Sequence, residues 1–335
     1  MMSFYDFFEV FTKVPIFITI VSNFLLIYLT IFQVKQIVGT YKYMIILYSV
    51  FGIGFSICDQ IAKPFIHSYN GYKSLLYFSY GEGWFEASLF VRLGALVMYA
   101  GFYILIVAFA AVQFVYRYLA LVNPDLTKWF QKFGVIFWIL YPFLYGVVNS
   151  LSILFLTSPD GFTDDYLRAE IIEKYELDIE NIARLVMIPF DTEKNLRINN
   201  TVYLFTVTFF ITCQYLIIIS CGVQMHLQMN KKLLKFSVPN RKLQKQFFKA
   251  LLVQITIPAI LFVLPAVPFM IGPFFNIKFT LKSGAVCALL GMYPPIDSIA
   301  FMIIVSEYRT LIKRKLTLKK TLGECDLTDV LSALF

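Results

Sequence analysis

The chain has 335 residues, 59% of them hydrophobic and 15% charged, with a formal net charge of +8 and a mean hydropathy of +0.72. Soluble domains carry roughly 45–50% apolar and 25% charged residues, so an ordinary water-soluble domain is excluded and lipid-facing surface is implied. The positive charge does not indicate nucleic acid, because lysine and arginine accumulate in the cytoplasmic loops of membrane proteins.

A membrane-spanning helix needs roughly 20 predominantly apolar residues, and seven runs reach that length. The first covers about 14–34, after a short N-terminal segment, 1–13. That segment holds Asp6 and Glu9 with Lys13 as its only basic residue, so it lacks the positive region of a cleavable signal peptide. The first run is therefore expected to act as an uncleaved anchor. A short basic turn with Lys35 and Lys42 leads to the second run, about 44–66. Lys63-Pro64 makes its far end irregular, since proline lacks a backbone donor. The stretch from His67 to Phe90, rich in Tyr and Gly and carrying Glu82, Trp84 and Glu86, reads as a loop.

The third run, about 93–115, is uncharged and closes with Tyr116-Arg117-Tyr118. Aromatic residues around an arginine at the end of a span mark a membrane–water boundary. A loop with Lys128 and Lys132 precedes the fourth run, about 133–156. Residues 157–200 form the one long polar segment, with ten acidic residues against five basic ones. A short helix over about 167–185 is expected there, with Asp164 and Asp165 at its N-terminal end, where acids favour the helix dipole.

The fifth run covers about 201–225, and the loop after it carries seven basic residues and no acid. The sixth, about 250–271, is interrupted by Pro258, Pro265 and Pro268. Membrane helices tolerate such prolines when neighbours satisfy the freed carbonyls. The seventh, about 283–305, contains Pro294-Pro295 and Asp297, and a tail over 306–335 follows.

These features predict an all-α membrane protein, a seven-transmembrane helix bundle over 14–305. Counting basic residues sets its orientation. With the N-terminus outside and the C-terminus inside, the inner segments hold 18 of the Lys and Arg residues and the outer ones nine. Asn199-Asn200-Thr201 is a glycosylation sequon in the long outer loop, in agreement. Of the five cysteines, four fall inside apolar runs and Cys325 in the tail, so no extracellular disulfide is expected.

No catalytic constellation, phosphate-binding glycine loop or zinc-type spacing is visible, and nothing calls for an enzyme, a metal or a cofactor. Arg117 reads either as an interfacial anchor or as a G-protein contact and lock on a resting state, a role suited to a permanent cation. Asp297 is an ionisable residue inside an apolar run, where burial is costly and usually paired or functional. With Tyr293 and Pro294 it reads as a hinge. Lys63 and Arg92, near the outer ends of their runs, read as snorkelling cations or as polar groups at a ligand pocket. Tyr99, Phe102, Tyr103, Phe205, Phe209 and Phe262 are candidate pocket walls, or ordinary helix packing. The basic loop after the fifth run suits anionic lipid headgroups or a docking protein.

Local words sharpen this. They include Gly39-Thr40-Tyr41-Lys42-Tyr43, Lys63-Pro64 with His67, and Phe114-Val115-Tyr116-Arg117-Tyr118. Leu243-Gln244-Lys245-Gln246-Phe247-Phe248-Lys249, Gln254, Ile257-Pro258 and Pro265 follow, then Pro273-Phe274-Phe275, Tyr293-Pro294 with Asp297, and Tyr308-Arg309. In this order they resemble the nematode serpentine chemoreceptors of the Str type, with their Srj and Srd relatives. The resemblance implies an olfactory G-protein-coupled receptor in the plasma membrane of sensory-neuron cilia. Its partners would be a small-molecule cue, a heterotrimeric G protein and membrane lipids. It places Tyr116, Arg117, Tyr118, Lys245, Lys249 and Arg309 at the G-protein face, and Pro258, Pro265, Tyr293, Pro294 and Asp297 in the switch. Tyr116 stands where rhodopsin-like receptors carry an acid, so Arg117 needs another resting-state partner. The alternative reading is a seven-span ligand-gated channel or transporter. Insect-type olfactory channels have the N-terminus inside, against the count of basic residues, and no repeated halves of a transporter are visible.

Overall fold

The computed structural model describes residues 4–69, 74–80, 88–264, 267, 274 and 284–321. Pro265 and the side chain of Phe262 lie outside the described residues, as do Glu82, Trp84, Glu86, Pro268, Pro273, Phe275 and Cys325. Helix α1 runs Phe4–Tyr28 and ends in a π-helical turn, Leu29–Gln33. Gly39, in the left-handed region at φ 73°, turns the chain into α2, Thr40–Ala62. Helix α3 spans Leu89–Val122, α4 Gly134–Leu156, α5 Gly161–Tyr175, α6 Ile198–Lys232 and α7 Val238–Pro258. A π-helical turn, Ala259–Val263, extends α7. Helices α8, Gly284–Gly291, and α9, Tyr293–Ile304, form the last span, and α10, Ser306–Thr321, turns away from it by 89°. Five described helices are long and apolar enough to cross a membrane, and the bent α9–α10 unit with the end of α8 makes a sixth candidate.

Helix α3 is the strut of the bundle, packed by α2, α4, α6 and α7. It is apolar on every side and buried over most of its length, as a helix hydrophobic all round must be. At 34 residues it is about 51 Å long, far more than the roughly 30 Å hydrocarbon core. Its backbones close tightly on α4. A Cβ on Gly101 would sit 3.0 Å from the Gly146 carbonyl oxygen, and Asn149 and Ser150 donate to the α3 carbonyls of Ala100 and Val97 at 3.1 and 3.2 Å. Small residues at such crossings let membrane helices approach, and side-chain bonds then hold them. The outer side of α4 shows Phe137, Leu144 and Phe155 to the surroundings.

Within the stretch expected to be a loop after the second span, 67–69 and 74–79 are instead strand. Strands β1, Pro64–Tyr69, and β2, Ser74–Ser79, pair antiparallel with Phe65 opposite Phe78 and Ile66 opposite Tyr77. A third strand, β3, Arg184–Met187, adds to β2, giving the order β1-β2-β3. The second span therefore ends at Ala62, not 66, and Lys63 caps it in a left-handed conformation, φ 40°. Proline at 64 excludes a further helical turn because it disfavours the α region for the residue before it.

The short helix of the long polar segment starts earlier than expected and is shorter. Asp160 caps α5 by accepting from the Thr163 N–H at 2.9 Å, and the Thr163 hydroxyl accepts from the Asp160 N–H at 2.8 Å. This reciprocal box satisfies two orphan donors at once. Alternation along the strands sends one set of residues to α5 and the other to the bundle. Phe65, Leu76, Phe78 and Val186 bury against Leu167 and Ile171 of α5. Each such side chain contributes roughly 1.5–3 kcal/mol on full burial. Ile66, Leu75, Tyr77 and Met187 face the bundle.

Candidate functional site

Two regions at opposite ends of α3 hold the groups of interest. Beneath the sheet lies an apolar cavity of about 120 Å³. Its roof is Ile66, Leu75, Tyr77 and Met187. Tyr99 and Tyr103 of α3, Asn149 and Ile153 of α4, Tyr203 and Val207 of α6, and Cys287 and Leu290 of α8 are among the residues of its walls. Tyr99 stacks on Phe55 at 4.5 Å, and the Tyr77 hydroxyl donates to the Leu96 carbonyl at 3.2 Å.

Of the candidate pocket walls, Tyr99 and Tyr103 line this cavity. Phe205 and Phe209 do not, being 65% and 63% exposed. The helical period on α6 brings Tyr203, Leu204, Val207 and Ile211 inward instead. Phe102 is half-buried and sets its ring against Gly54 of α2. Lys63 and Arg92 are not among the lining residues. Asn199 is exposed in the first turn of α6, whereas Asn200 is buried and ties the α4 and β3 ends together through the Leu156 carbonyl and the Ile188 N–H.

Asp59 belongs to this region and was not singled out from the sequence. Its carboxylate is buried near the end of α2, close against Gly291, and the Tyr99 hydroxyl faces it. The signal was the same as for Asp297, a lone acid inside an apolar run.

The middle of the bundle is polar. Asp297 is 4% exposed and accepts from Gln254 Nε2 at 3.0 Å. The Tyr293 hydroxyl donates to the Gln254 carbonyl at 3.4 Å and bonds the hydroxyl of Tyr48. Ser298 donates to Ser22 at 2.7 Å. These bonds join α9 to α1, α2 and α7. Pro294 and Pro295 occupy the first turn of α9, where a missing N–H leaves no intrahelical bond unmade. Asp297 is thus held by an amide inside the bundle.

At the far end of α3, Arg117 is not at the helix terminus. The helix continues to Val122, and Arg117 is 6% exposed. Its guanidinium lies over Tyr41 of α2 at 3.2 Å and Phe247 of α7 at 4.0 Å, and it donates to Gln244 Oε1 at 3.1 Å. Among the described residues no carboxylate is within ion-pair distance of it. Tyr116 stacks on Tyr41, with 6.2 Å between centroids, and Tyr118 is half-buried beside it. On the same helix α7, Gln246 accepts from the Ser306 N–H and hydroxyl at 3.0 Å, while Lys245 and Lys249 are exposed. Tyr308 is buried and bonds Thr30 at 2.8 Å, and Arg309 beside it is exposed. Pro258 ends α7, and the Ala259 N–H is shared between the Ile255 and Thr256 carbonyls where the π turn begins.

This architecture has known counterparts. Squid rhodopsin superposes with a TM-score of 0.63 over 98% of this chain and 89% of that one, at 13% identity. In sequence, the chain is 40% identical over 296 residues to the Caenorhabditis elegans protein "G-protein coupled receptor str-33", covering 87% of this chain and 85% of that protein. It is 26% identical over 291 residues to "Serpentine receptor class r-10" of C. elegans, covering 84% and 83% respectively. The family model described as serpentine type 7TM GPCR chemoreceptor Str matches residues 8–313. The chain belongs to the Str family of serpentine seven-transmembrane chemoreceptors.

Proposed function

We propose that this protein is a G-protein-coupled olfactory receptor that binds a small chemical cue in the cavity beneath the sheet and signals at the Arg117 end. The N-terminus and the sheet then lie outside and the C-terminus inside, in keeping with the surplus of basic residues assigned to the inner segments. The observation that carries the reading is that one rigid helix, α3, walls the cavity with Tyr99 and Tyr103 and holds Arg117 in the clamp at its other end.

Ligand binding shifts an equilibrium between two packings only through differential affinity for them. Helix α7 is the moving part in this scheme. Pro258 and the π turn weaken the junction at its end, and Gln244 and Phe247 are what it must withdraw from Arg117. Tyr293, Pro294 and Asp297 form the hinge next to it. The opening exposes Tyr116, Arg117 and Tyr118 to the G protein, with Lys245, Lys249 and Arg309 already at the surface. Basic residues at that face also meet anionic headgroups. The sensory-neuron cilium is the site of action under this reading, and Asn199 is the glycan acceptor on the outer face.

The test is a screen of volatile and soluble cues in cells with a G-protein readout, comparing the intact chain with Arg117→Ala. A cue that signals only through the intact form supports the reading. A cue that drives ionic current with G proteins blocked overturns it, as does an N-terminal tag that intact cells fail to expose.

A further inference from the structure

The cavity beneath the sheet has a chemistry that narrows its ligand, given the receptor reading above. Among the described residues no charged side chain lines it. An ion brought into so apolar a site would lose its hydration without a counter-charge, which is prohibitive. Asp59 is not among the lining residues. The site therefore suits an uncharged molecule. Size is set by volume: an engineered cavity of about 150 Å³ in another protein binds benzene, with its six heavy atoms, and this one is about 120 Å³.

The polar requirement comes from Asn149. Its side chain is 1% exposed, and its Nδ2 donates to the Ala100 carbonyl at 3.1 Å. That bond fixes the amide orientation, because the flipped rotamer would set oxygen against oxygen. Oδ1 is left buried with no hydrogen-bond partner among the described residues. A carboxamide oxygen only accepts, so its missing partner is a donor. Tyr99, 4% exposed and also on the cavity wall, turns its hydroxyl to the buried Asp59 carboxyl and so leaves Asn149 Oδ1 as the open polar group of the wall.

We propose that the cavity receives a small, uncharged, hydroxyl-bearing molecule of about six heavy atoms, whose O–H donates to Asn149 Oδ1. A ketone, aldehyde or ester of the same size has no donor, so it leaves Asn149 unpaired while desolvating it. Discrimination by an unpaired buried polar group of this kind is roughly tenfold or more in affinity.

The experiment uses the full chain in phosphatidylcholine nanodiscs, with its unfolding temperature followed against concentration of 1-pentanol, 2-pentanone, pentylamine and 1-decanol. The expected result is stabilisation by 1-pentanol at concentrations at least about tenfold lower than by 2-pentanone, with pentylamine and 1-decanol weaker still. In Asn149→Leu the alcohol-to-ketone ratio falls toward one. In Val207→Phe, which fills the cavity, the response to both is lost. Should Asn149→Leu fail to fold, the ratio on the unmodified chain together with Val207→Phe decides. Equal action of alcohol and ketone, a preference for the amine, or no response to any of the four overturns the inference. A parallel G-protein readout separates the two claims. Stabilisation by 1-pentanol without signalling leaves the ligand class intact and counts against the receptor reading. Signalling by the ketone or amine at the lower concentration does the reverse.

Discussion

The Arg117 guanidinium carbon lies 3.2 Å from the centre of the Tyr41 ring, with Phe247 on another side at 4.0 Å. An aromatic clamp and one amide, Gln244, hold this arginine. Desolvated cation–π contacts contribute about 0.5–2 kcal/mol. Tyr41→Leu keeps an apolar side chain but removes the π face, so basal G-protein activation should rise about two- to thirtyfold, while Tyr41→Phe stays near the parent level. Gln244→Glu turns the clamp into an ion pair and should lower basal activation. Nucleotide exchange measured on membranes checks all three, and unchanged basal activity in Tyr41→Leu would remove the clamp from the switch.

Asp297 depends on Gln254 in the same way that Arg117 depends on its clamp. Gln254→Leu leaves the carboxyl buried without its donor, at a cost of about 1–3 kcal/mol. The double variant Gln254→Leu with Asp297→Leu removes both partners and should lose less than the sum of the two single changes. Unfolding in detergent measures the coupling. Strict additivity would show that the bond carries no stability.

Much of the bundle was legible because its signal is local. Long apolar runs become spanning helices whatever packs against them, and the Pro258 and Pro294 breaks fall where the missing backbone donor dictates. The sheet was not legible from the run Ser74–Ser79. Its Leu75-Leu76-Tyr77-Phe78 core is apolar on both faces, one under α5 and one over the cavity, so no alternation marks it as a strand. Arg117 was placed at a helix end because the apolar run stops there. Yet α3 continues another turn, and the charge is covered by rings from α2 and α7 that are distant in sequence. Phe205 and Phe209 illustrate the converse: in a membrane protein, an aromatic residue on a helix says little about which face it occupies, since lipid accepts it as readily as the core does. Asn149 was missed because a single polar residue acquires meaning only from the atom it fails to reach, whereas Asp59 carried the same signal as Asp297.

An ion pair ties the sheet that roofs the cavity to α5. Arg184 of β3 donates from Nε and Nη2 to both oxygens of Asp164 on α5, at 2.9 and 2.7 Å, with the side chains 11% and 18% exposed. Charge-assisted bonds of this kind are each worth about 1.5–3 kcal/mol. Arg184→Ala should loosen α5 from the sheet and accelerate proteolysis within 157–183 in intact cells. Arg184→Lys, a point charge without the fork, should be intermediate. Equal cleavage in all three would show that the apolar contacts of Leu167 and Ile171 suffice alone.

His67 makes the same cap sensitive to acid. It sits on β1, 4% exposed, with Nδ1 bonded to the Tyr175 hydroxyl at 2.9 Å and Nε2 3.4 Å from Glu170. Burial pushes its pKa down to about 4, helped by Lys174, which pairs with the same Glu170, and opposed by Glu170 itself. The folded cap thus binds the proton less readily than the unfolded segment, whose histidine titrates near 6.5. Stability is full above about pH 6.5 and falls as pH drops toward 4, by up to about 3 kcal/mol. Proteolysis of 157–183 in intact cells should therefore accelerate across that interval. His67→Gln keeps a hydrogen-bonding side chain without the titration and should flatten the dependence. A dependence of the same size in His67→Gln would assign it to the acidic residues of α5 instead.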